Sequence, residues 1–289
     1  PMQLLPKQDA FVCSPAKYTA FVAGLGSGKT WAGCIKAIQK WQAGNDGVIV
    51  APTFPMLRDV TQKTFFELLA GQESLFEFNV SENSCRLKGN GAIILFRSAD
   101  APDRLRGVNL NWAYLDEAAL MKEDVWRIIL GRLRTGEDPQ AWITTTPSGF
   151  NWVYKYWIER ANANYALFHS ATRENKYLPP DYLADLEANY VGEFAKQEIE
   201  GEFVAFEGLV YLEFSRNIHI FKDTSLPESW GRVRAIDFGY TNPFVCLWGA
   251  VDGDGRLYVY DEHYKTRTLI RDHAAEIENR NHHYLWTVS

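Results

Sequence analysis

Lys29 and Thr30 close the run Ala23-Gly24-Leu25-Gly26-Ser27-Gly28-Lys29-Thr30, whose residue types and order suit the holding of a polyphosphate. Glycines let backbone N–H groups turn toward phosphate oxygens, and a helix opening at Lys29 adds the positive end of its dipole. In ATP binding, Gly24, Gly26, Ser27 and Gly28 would cradle the phosphates, Lys29 would reach the terminal ones, and the Thr30 hydroxyl would face Mg²⁺. The usual pattern starts with glycine where this sequence has Ala23; Gly24 follows directly, so the departure is tolerated.

A second pair of reactive groups ends Trp112-Ala113-Tyr114-Leu115-Asp116-Glu117. Asp116, at the tip of an apolar strand, is placed to hold Mg²⁺ through water or the Thr30 hydroxyl. Glu117 is then placed to polarise the attacking water. A strand ending in Asp-Glu is common and weak alone; together with the glycine loop it is far more specific.

Three further features have a chemical and a plain reading. Gln8 in Leu5-Pro6-Lys7-Gln8 precedes the first strand, where several P-loop motors read adenine with an amide; a glutamine near a terminus is otherwise a solvated residue. Arg104 and Arg106 could neutralise γ-phosphate charge, from the same or a neighbouring subunit, or make ordinary surface ion pairs. Thr144-Thr145-Thr146-Pro147 closes a buried strand with hydroxyls at the sheet edge where ligands bind, and either relays the γ-phosphate state or ends a strand.

The elements that must position these groups alternate between apolar runs and amphipathic stretches up to about residue 147, the pattern of a mostly parallel sheet flanked by helices. Strands are expected at Thr19–Val22, Val48–Ala51, Ile93–Phe96, Trp112–Leu115 and Ala141–Thr145, with a helix over Lys29–Gln42. On that helix Trp31, Cys34, Ile35, Ile38 and Trp41 recur at helical spacing and should face the sheet. Residues 151–203 turn helical, broken at Leu178-Pro179-Pro180, and read as a connecting region. After Phe206 comes a strand-rich unit: Arg234–Phe238, Val245–Ala250 and Leu257–Tyr260, with the turn Asp252-Gly253-Asp254-Gly255, a helix over Thr268–Asn279 and the apolar run Tyr284-Leu285-Trp286. His282 and His283 are adjacent, so on a strand they point to opposite faces and carry no site.

A chain of 289 residues accommodates about two domains, and 46% hydrophobic content is that of globular protein. Thirty Lys and Arg against 36 Asp and Glu give a net charge of −6, so any DNA contact must come from local patches or from several subunits together. Cys13, Cys34, Cys85 and Cys246 are too scattered for a zinc knuckle or a redox pair. Neither a signal peptide nor a membrane span is indicated, and the reading is cytoplasmic.

In order, these motifs resemble the large terminase subunit of tailed bacteriophages over essentially the whole chain. The matching pieces are Leu5-x-x-Gln8, the P-loop, Val50-Ala51-Pro52-Thr53, Phe96–Asp100 leading to Arg104-Leu105-Arg106-Gly107, Asp116-Glu117-Ala118-Ala119, and Thr144–Pro147. Glu174–Pro179, Glu200-Gly201-Glu202-Phe203 and Ala235-Ile236-Asp237-Phe238-Gly239 complete the set.

The resemblance implies an ASCE, RecA-like P-loop ATPase domain at 1–170, a helical linker at 171–206, and the first part of a ribonuclease H-like α/β nuclease domain at 207–289. It implies a motor that drives double-stranded viral DNA into a procapsid and cuts concatemers, with Lys29 and Thr30 on phosphate and Mg²⁺, and Asp116 on the metal. Glu117 would be the catalytic base, Gln8 the adenine contact and Thr144–Thr146 the coupling motif. Many terminases carry an arginine inside the P-loop where this sequence has Leu25; Arg106, ahead of Arg104, is then expected to act across a subunit boundary in a ring. In the nuclease Asp237 would be the first ligand of two Mg²⁺ or Mn²⁺ ions; Glu262, near the end of the third strand, is either an accessory carboxylate or, more simply, a solvated hairpin residue. The second family aspartate is expected near where the sequence stops at Ser289, so the nuclease is expected to be incomplete and inactive here. Portal protein, the small terminase subunit and the procapsid in the host cytoplasm are the implied partners and place. A helicase-like DNA-dependent ATPase and a non-hydrolysing nucleotide-binding scaffold are the alternatives.

Overall fold

Short apolar and aromatic runs pair into one eight-stranded sheet in the first of two compact units, Pro1–Val210 and Tyr211–Ser289, of this computed structural model. The structure describes residues 3–204, 219–220, 225–280 and 284–288; Phe206, His282, His283 and Ser289 lie outside them. In chain order the strands are β1 (Tyr18–Ala23), β2 (Gly47–Ala51), β3 (Phe76–Asn79), β4 (Ser84–Leu87), β5 (Ile93–Ser98), β6 (Trp112–Asp116), β7 (Gln140–Thr145) and β8 (Tyr165–Ser170). Their order in the sheet is β3-β4-β5-β2-β6-β7-β1-β8, and from β5 to β8 every neighbouring pair is parallel.

All five strands expected in this unit form. The antiparallel pair β3–β4 was not expected, nor was β8, which pairs with β1 inside the stretch read as helical. Tyr165–Ser170 is an edge strand of mixed exposure, so it lacks a clean alternation, and pairing with the buried β1 decides its conformation.

The sheet is covered on both faces. Phe21, Ile49, Tyr114 and Trp142 look toward helices α1 (Pro6–Cys13) and α2 (Lys29–Gln42), while Val22, Val50, Leu115 and Ile143 pack with helix Glu123–Leu130. Each fully buried large apolar side chain, such as Phe21, Phe65 or Ile49, contributes roughly 1.5–3 kcal/mol of transfer free energy.

The buried stripe of α2 is rotated from expectation. Cys34 and Trp41 are buried, but so are Gly33, Lys36 and Ala37, while Trp31, Ile35 and Ile38 sit half-buried at its margin. The cause is α1, which lies against α2. The Lys36 ammonium reaches beneath it, donating to Phe11 O and Ser14 O, both at 3.1 Å, and to Thr19 Oγ1 at 3.3 Å. A cation near the last carbonyls of a helix is electrostatically well placed.

Residues 171–204 carry helices Pro180–Asn189 and Gly192–Ala195 and a π turn over Lys196–Glu200. Rather than running free as a connector, this segment hydrogen-bonds back to the loop after β1, as described below.

In the second unit β9 (Gly231–Asp237), β10 (Phe244–Val251) and β11 (Leu257–Lys265) form an antiparallel meander. Helix Ile270–Glu278 then leads to β12 (Trp286–Val288), which lies parallel to β9. Asp252 shapes the β10–β11 turn: its Oδ1 accepts from Asp254 N at 2.9 Å and Arg256 N at 2.8 Å, with Gly255 at φ 81°. A small core of Phe244, Cys246 and Trp248 is closed by Ile236, Ile277 and Tyr284.

Candidate nucleotide site

β1 ends at Ala23, and the chain turns through Gly26 at φ 66° and Gly28 at φ 77° before α2 opens at Lys29. These left-handed conformations need glycine. Carbonyls along the loop are held from outside it. Thr172 Oγ1 donates to Leu25 O at 2.7 Å, Asn175 Nδ2 to Gly26 O at 2.6 Å, and Gln8 Nε2 to Ser27 O at 2.8 Å. Leu25 N donates to Glu198 O at 2.7 Å. Gly24 is pressed so closely that a Cβ there would stand 2.3 Å from Ile199 O. Gln8 is buried under the loop, and its Oε1 accepts from Leu5 N at 2.9 Å, so both ends of its amide are engaged within the protein.

Lys29 points back across the loop, 6% exposed, and donates to Gly24 O at 3.0 Å. Burial pulls its ammonium below the ordinary lysine range, opposed by the carboxylates of Glu117, Asp116 and Glu198. The ammonium thus makes one hydrogen bond, to a carbonyl, with three carboxylates nearby.

The β6–β7 register places Asp116 beside Thr144, and α2 brings Thr30 over both. Thr30 Oγ1 is 3.1 Å from each carboxylate oxygen of Asp116. Oδ1 also accepts from Thr144 Oγ1 at 2.6 Å and Tyr114 OH at 2.9 Å, and Oδ2 from Thr61 Oγ1 at 2.8 Å. Tyr114 OH and Thr144 Oγ1 are themselves 2.8 Å apart. A hydroxyl and a carboxylate in contact are the all-oxygen donors that a hard cation such as Mg²⁺ takes, so Thr30 and Asp116 fit that ion.

Glu117 adopts φ 50° and ψ 47°, a strained backbone for a non-glycine residue and of the kind found at functional sites. Burial raises its carboxyl above the ordinary range, partly offset by Lys29. Its Oε2 accepts from Thr146 N at 3.3 Å, while Thr145 Oγ1 accepts from Ala119 N at 3.0 Å. The three threonines thus touch both acids: Thr144 reaches Asp116, and Thr145 and Thr146 brace the turn that carries Glu117.

Arg104 and Arg106 are not among the hydrogen-bond partners of this cluster. Arg106 is 64% exposed and paired with Asp103 at 2.8 Å, and Arg104 is likewise exposed. Asp237, in the other unit, is exposed at the end of β9. The β9–β10–β11 register sets Asp237 and Glu262 on one face of that sheet, on strands either side of β10. Among the described residues no three His, Cys, Asp or Glu side chains converge as a metal site.

Thr61, Thr172, Asn175, Glu198 and the Tyr114 hydroxyl are site residues that sequence reasoning left without a role. Asn175 lies in the run Glu174–Pro179 that the resemblance quoted, and Tyr114 in the strand before Asp116, but no signal marked Thr61.

A parallel sheet in which β7 separates the glycine-loop strand β1 from the acid-tipped β6, with Glu117 next in sequence, defines a P-loop nucleotide-binding domain of the ASCE class. Residues 20–218 match the model described as terminase large subunit, T4likevirus-type, N-terminal, and the chain belongs to that family. It is 25% identical over 205 residues to the large terminase subunit of Escherichia phage T5, covering 66% of this chain and 46% of that protein. To the large terminase subunit of Thermus virus P23-45 it is 28% identical over 240 residues, covering 68% and 48%. The chain therefore spans about half the length of the curated relatives it matches. Its fold is that of a large terminase from a thermophilic bacteriophage, with a TM-score of 0.65 at 17% identity, over 96% of this chain and 74% of that one. Other structures of that thermophilic phage protein are in complex with ADP and with ATP-gamma-S.

Proposed function

We propose that the first unit is the ATP-hydrolysing part of a motor that drives double-stranded viral DNA into a procapsid. The observation that carries this reading is the contact of Thr30 Oγ1 with Asp116 at 3.1 Å, next to the buried Lys29 and with Glu117 one residue on. Lys29 binds the β- and γ-phosphates against the amides at the start of α2. Thr30 and Asp116 would hold Mg²⁺, which would supply positive charge against the phosphates. Glu117, its carboxyl raised by burial and still the stronger base for it, takes the proton of the attacking water. Thr144–Thr146 join the two acids to β7, so a change at the γ-phosphate is felt along that strand. The ADP and ATP-gamma-S complexes of the thermophilic phage relative support nucleotide binding by this fold.

Gln8 as the adenine contact belongs to the same reading, with one condition: the amide must release Ser27 O, or share it, to reach a base. Arg106, exposed and not among the hydrogen-bond partners of its own P-loop cluster, is proposed to act in a neighbouring subunit of a ring. Portal protein, small terminase subunit and docking on the procapsid in the host cytoplasm complete the proposal. No helix among the described residues is long and apolar enough to cross a membrane.

For the second unit we propose a ribonuclease H-like nuclease fold with Asp237 as the first Mg²⁺ or Mn²⁺ ligand. Support comes from the β9–β10–β11 meander followed by a helix and a strand parallel to β9. The described residues gather no set of ligands around Asp237, so they do not fit a two-metal centre and no cleavage step is derived.

Steady-state ATP turnover of Lys29→Ala, with circular dichroism to establish the fold, tests the core of the reading. Turnover is expected to vanish while the fold persists; unchanged turnover removes the P-loop assignment. Wild-type turnover should be slow alone and faster with DNA or on assembly, and no turnover under any of these conditions would favour a non-hydrolysing scaffold.

A further inference from the structure

Asp116 accepts hydrogen bonds from four hydroxyls, and these are not equivalent. Thr144, Thr61 and Tyr114 approach a single oxygen each at 2.6, 2.8 and 2.9 Å, whereas Thr30 straddles both oxygens at 3.1 Å. Hydrogen bonds to a carboxylate are strongest when short and directed. Thr30 is therefore the donor held least firmly, and the one whose oxygen is needed elsewhere when a cation arrives. Oδ1 then keeps two fixed donors, but Oδ2 keeps only Thr61.

Thr61 comes from none of the sequence motifs. It sits in a π turn, Leu57–Gln62, within the helical stretch after β2, and is 1% exposed. Such turns interrupt the α-helical register and recur where a side chain must be aimed. The Thr61 carbonyl accepts from the Cys34 thiol of α2 at 3.7 Å, so the residue is tied to the core from both ends.

We propose that Thr61 is a positioning residue for Asp116, fixing the Oδ2 side of the metal-holding carboxylate as Thr30 turns from Asp116 to the cation. The inference rests on the nucleotide-site reading above. Thr61 touches neither nucleotide nor cation in this scheme. It restricts the rotation of a carboxylate that would otherwise be pinned on one oxygen only, as groups behind metal ligands do elsewhere.

The test compares Thr61→Val, which keeps shape and loses the hydroxyl, with Thr61→Ser, which keeps the hydroxyl. ATP-gamma-S binding is measured by calorimetry across a Mg²⁺ series and in EDTA. Thr61→Val should raise the Mg²⁺ concentration for half-maximal effect by about tenfold, the lower end of what residues behind a metal ligand contribute. Its affinity in EDTA should match wild type, and Thr61→Ser should restore the wild-type Mg²⁺ midpoint. An unshifted midpoint in Thr61→Val overturns the proposal, as does an equal shift in Thr61→Ser, which would assign the effect to packing. Should Thr61→Val fail to fold, Thr61→Ala against Thr61→Ser makes the same comparison. If wild-type protein binds no ATP-gamma-S at any Mg²⁺ concentration, the site itself is lost and this inference with it.

Discussion

A Cβ placed on Gly33 of α2 would lie 2.2 Å from Cζ of Tyr114. That close approach lets the phenol reach Asp116 and Thr144 beneath the helix, and Trp142, stacked on the Tyr114 ring at 6.0 Å and 13°, leaves it little room to yield.

Gly33→Ala should therefore destabilise the protein. Alanine in a helix gains about 1 kcal/mol over glycine, but overpacking a filled core costs typically 1–3 kcal/mol, and this contact is far inside van der Waals range. Thermal denaturation should show a lower Tm, and nucleotide affinity should fall as Tyr114 leaves Asp116. A raised Tm would mean that the ring moves freely.

Glu117→Gln should abolish most turnover, by about 10²–10⁴-fold, while ATP-gamma-S still binds. Glu117 acts as a base only when deprotonated, and burial raises its carboxyl. The acid limb of the turnover–pH profile should consequently lie above the ordinary glutamate range, with activity lost as pH falls through it. A profile whose acid limb sits at an unperturbed carboxylate value would place the base elsewhere.

Lys36 gives stability a signature at alkaline pH. Burial, with a smaller push from Lys40, brings its ammonium down to about 8 from 10.5. Between these values the unfolded chain holds a proton that the folded protein releases, so this group makes stability rise with pH across that window. At neutral pH the charged form costs about 3 kcal/mol by the conversion of 1.36 kcal/mol per pH unit. Lys36→Met leaves the Phe11 and Ser14 carbonyls without their donor and should be less stable at every pH. The wild-type advantage should widen from about pH 8 to 10.5 in urea titrations; a constant difference would show that Lys36 titrates normally.

Asn175→Ala removes the donor to Gly26 O and should cost about 0.5–1.5 kcal/mol of stability, with a larger relative loss in nucleotide affinity because the bond shapes the loop. Equal affinity in the variant would make residues 171–204 a cover without influence on the loop.

Arg106→Ala should leave Tm unchanged, since its exposed pairing with Asp103 contributes little. Turnover in the assembled ring should fall, and mixing with Glu117→Ala subunits should restore part of it, because intact halves of one composite site then meet. No rescue would place the action of Arg106 within its own subunit.

What could be read beforehand follows from how local each determinant is. Lys29, Thr30, Asp116 and Glu117 declare themselves because a glycine loop and an acid-tipped apolar strand constrain consecutive residues. The bounds of α2 were legible for the same reason. Its buried face was not, because the position of α1, with Lys36 beneath it, is a tertiary matter. β8 escaped because an edge strand pairs with a distant segment and carries no clean period. Thr61 is the extreme case: a lone threonine far in sequence from its partner, aimed by a π turn that composition does not announce.

The outside grip on the loop has a consequence for charge recognition. With no cis peptide bond in the described chain, each carbonyl and the amide that follows it point opposite ways. Holding the oxygens of Leu25, Gly26 and Ser27 toward Thr172, Asn175 and Gln8 turns the N–H groups of Gly26, Ser27 and Gly28 away from those side chains, that of Ser27 onto Gly24 O at 3.4 Å. Three side chains that need never meet an anion thus set the direction of the loop's amides, and folding rather than ligand arrival does the work of aligning them.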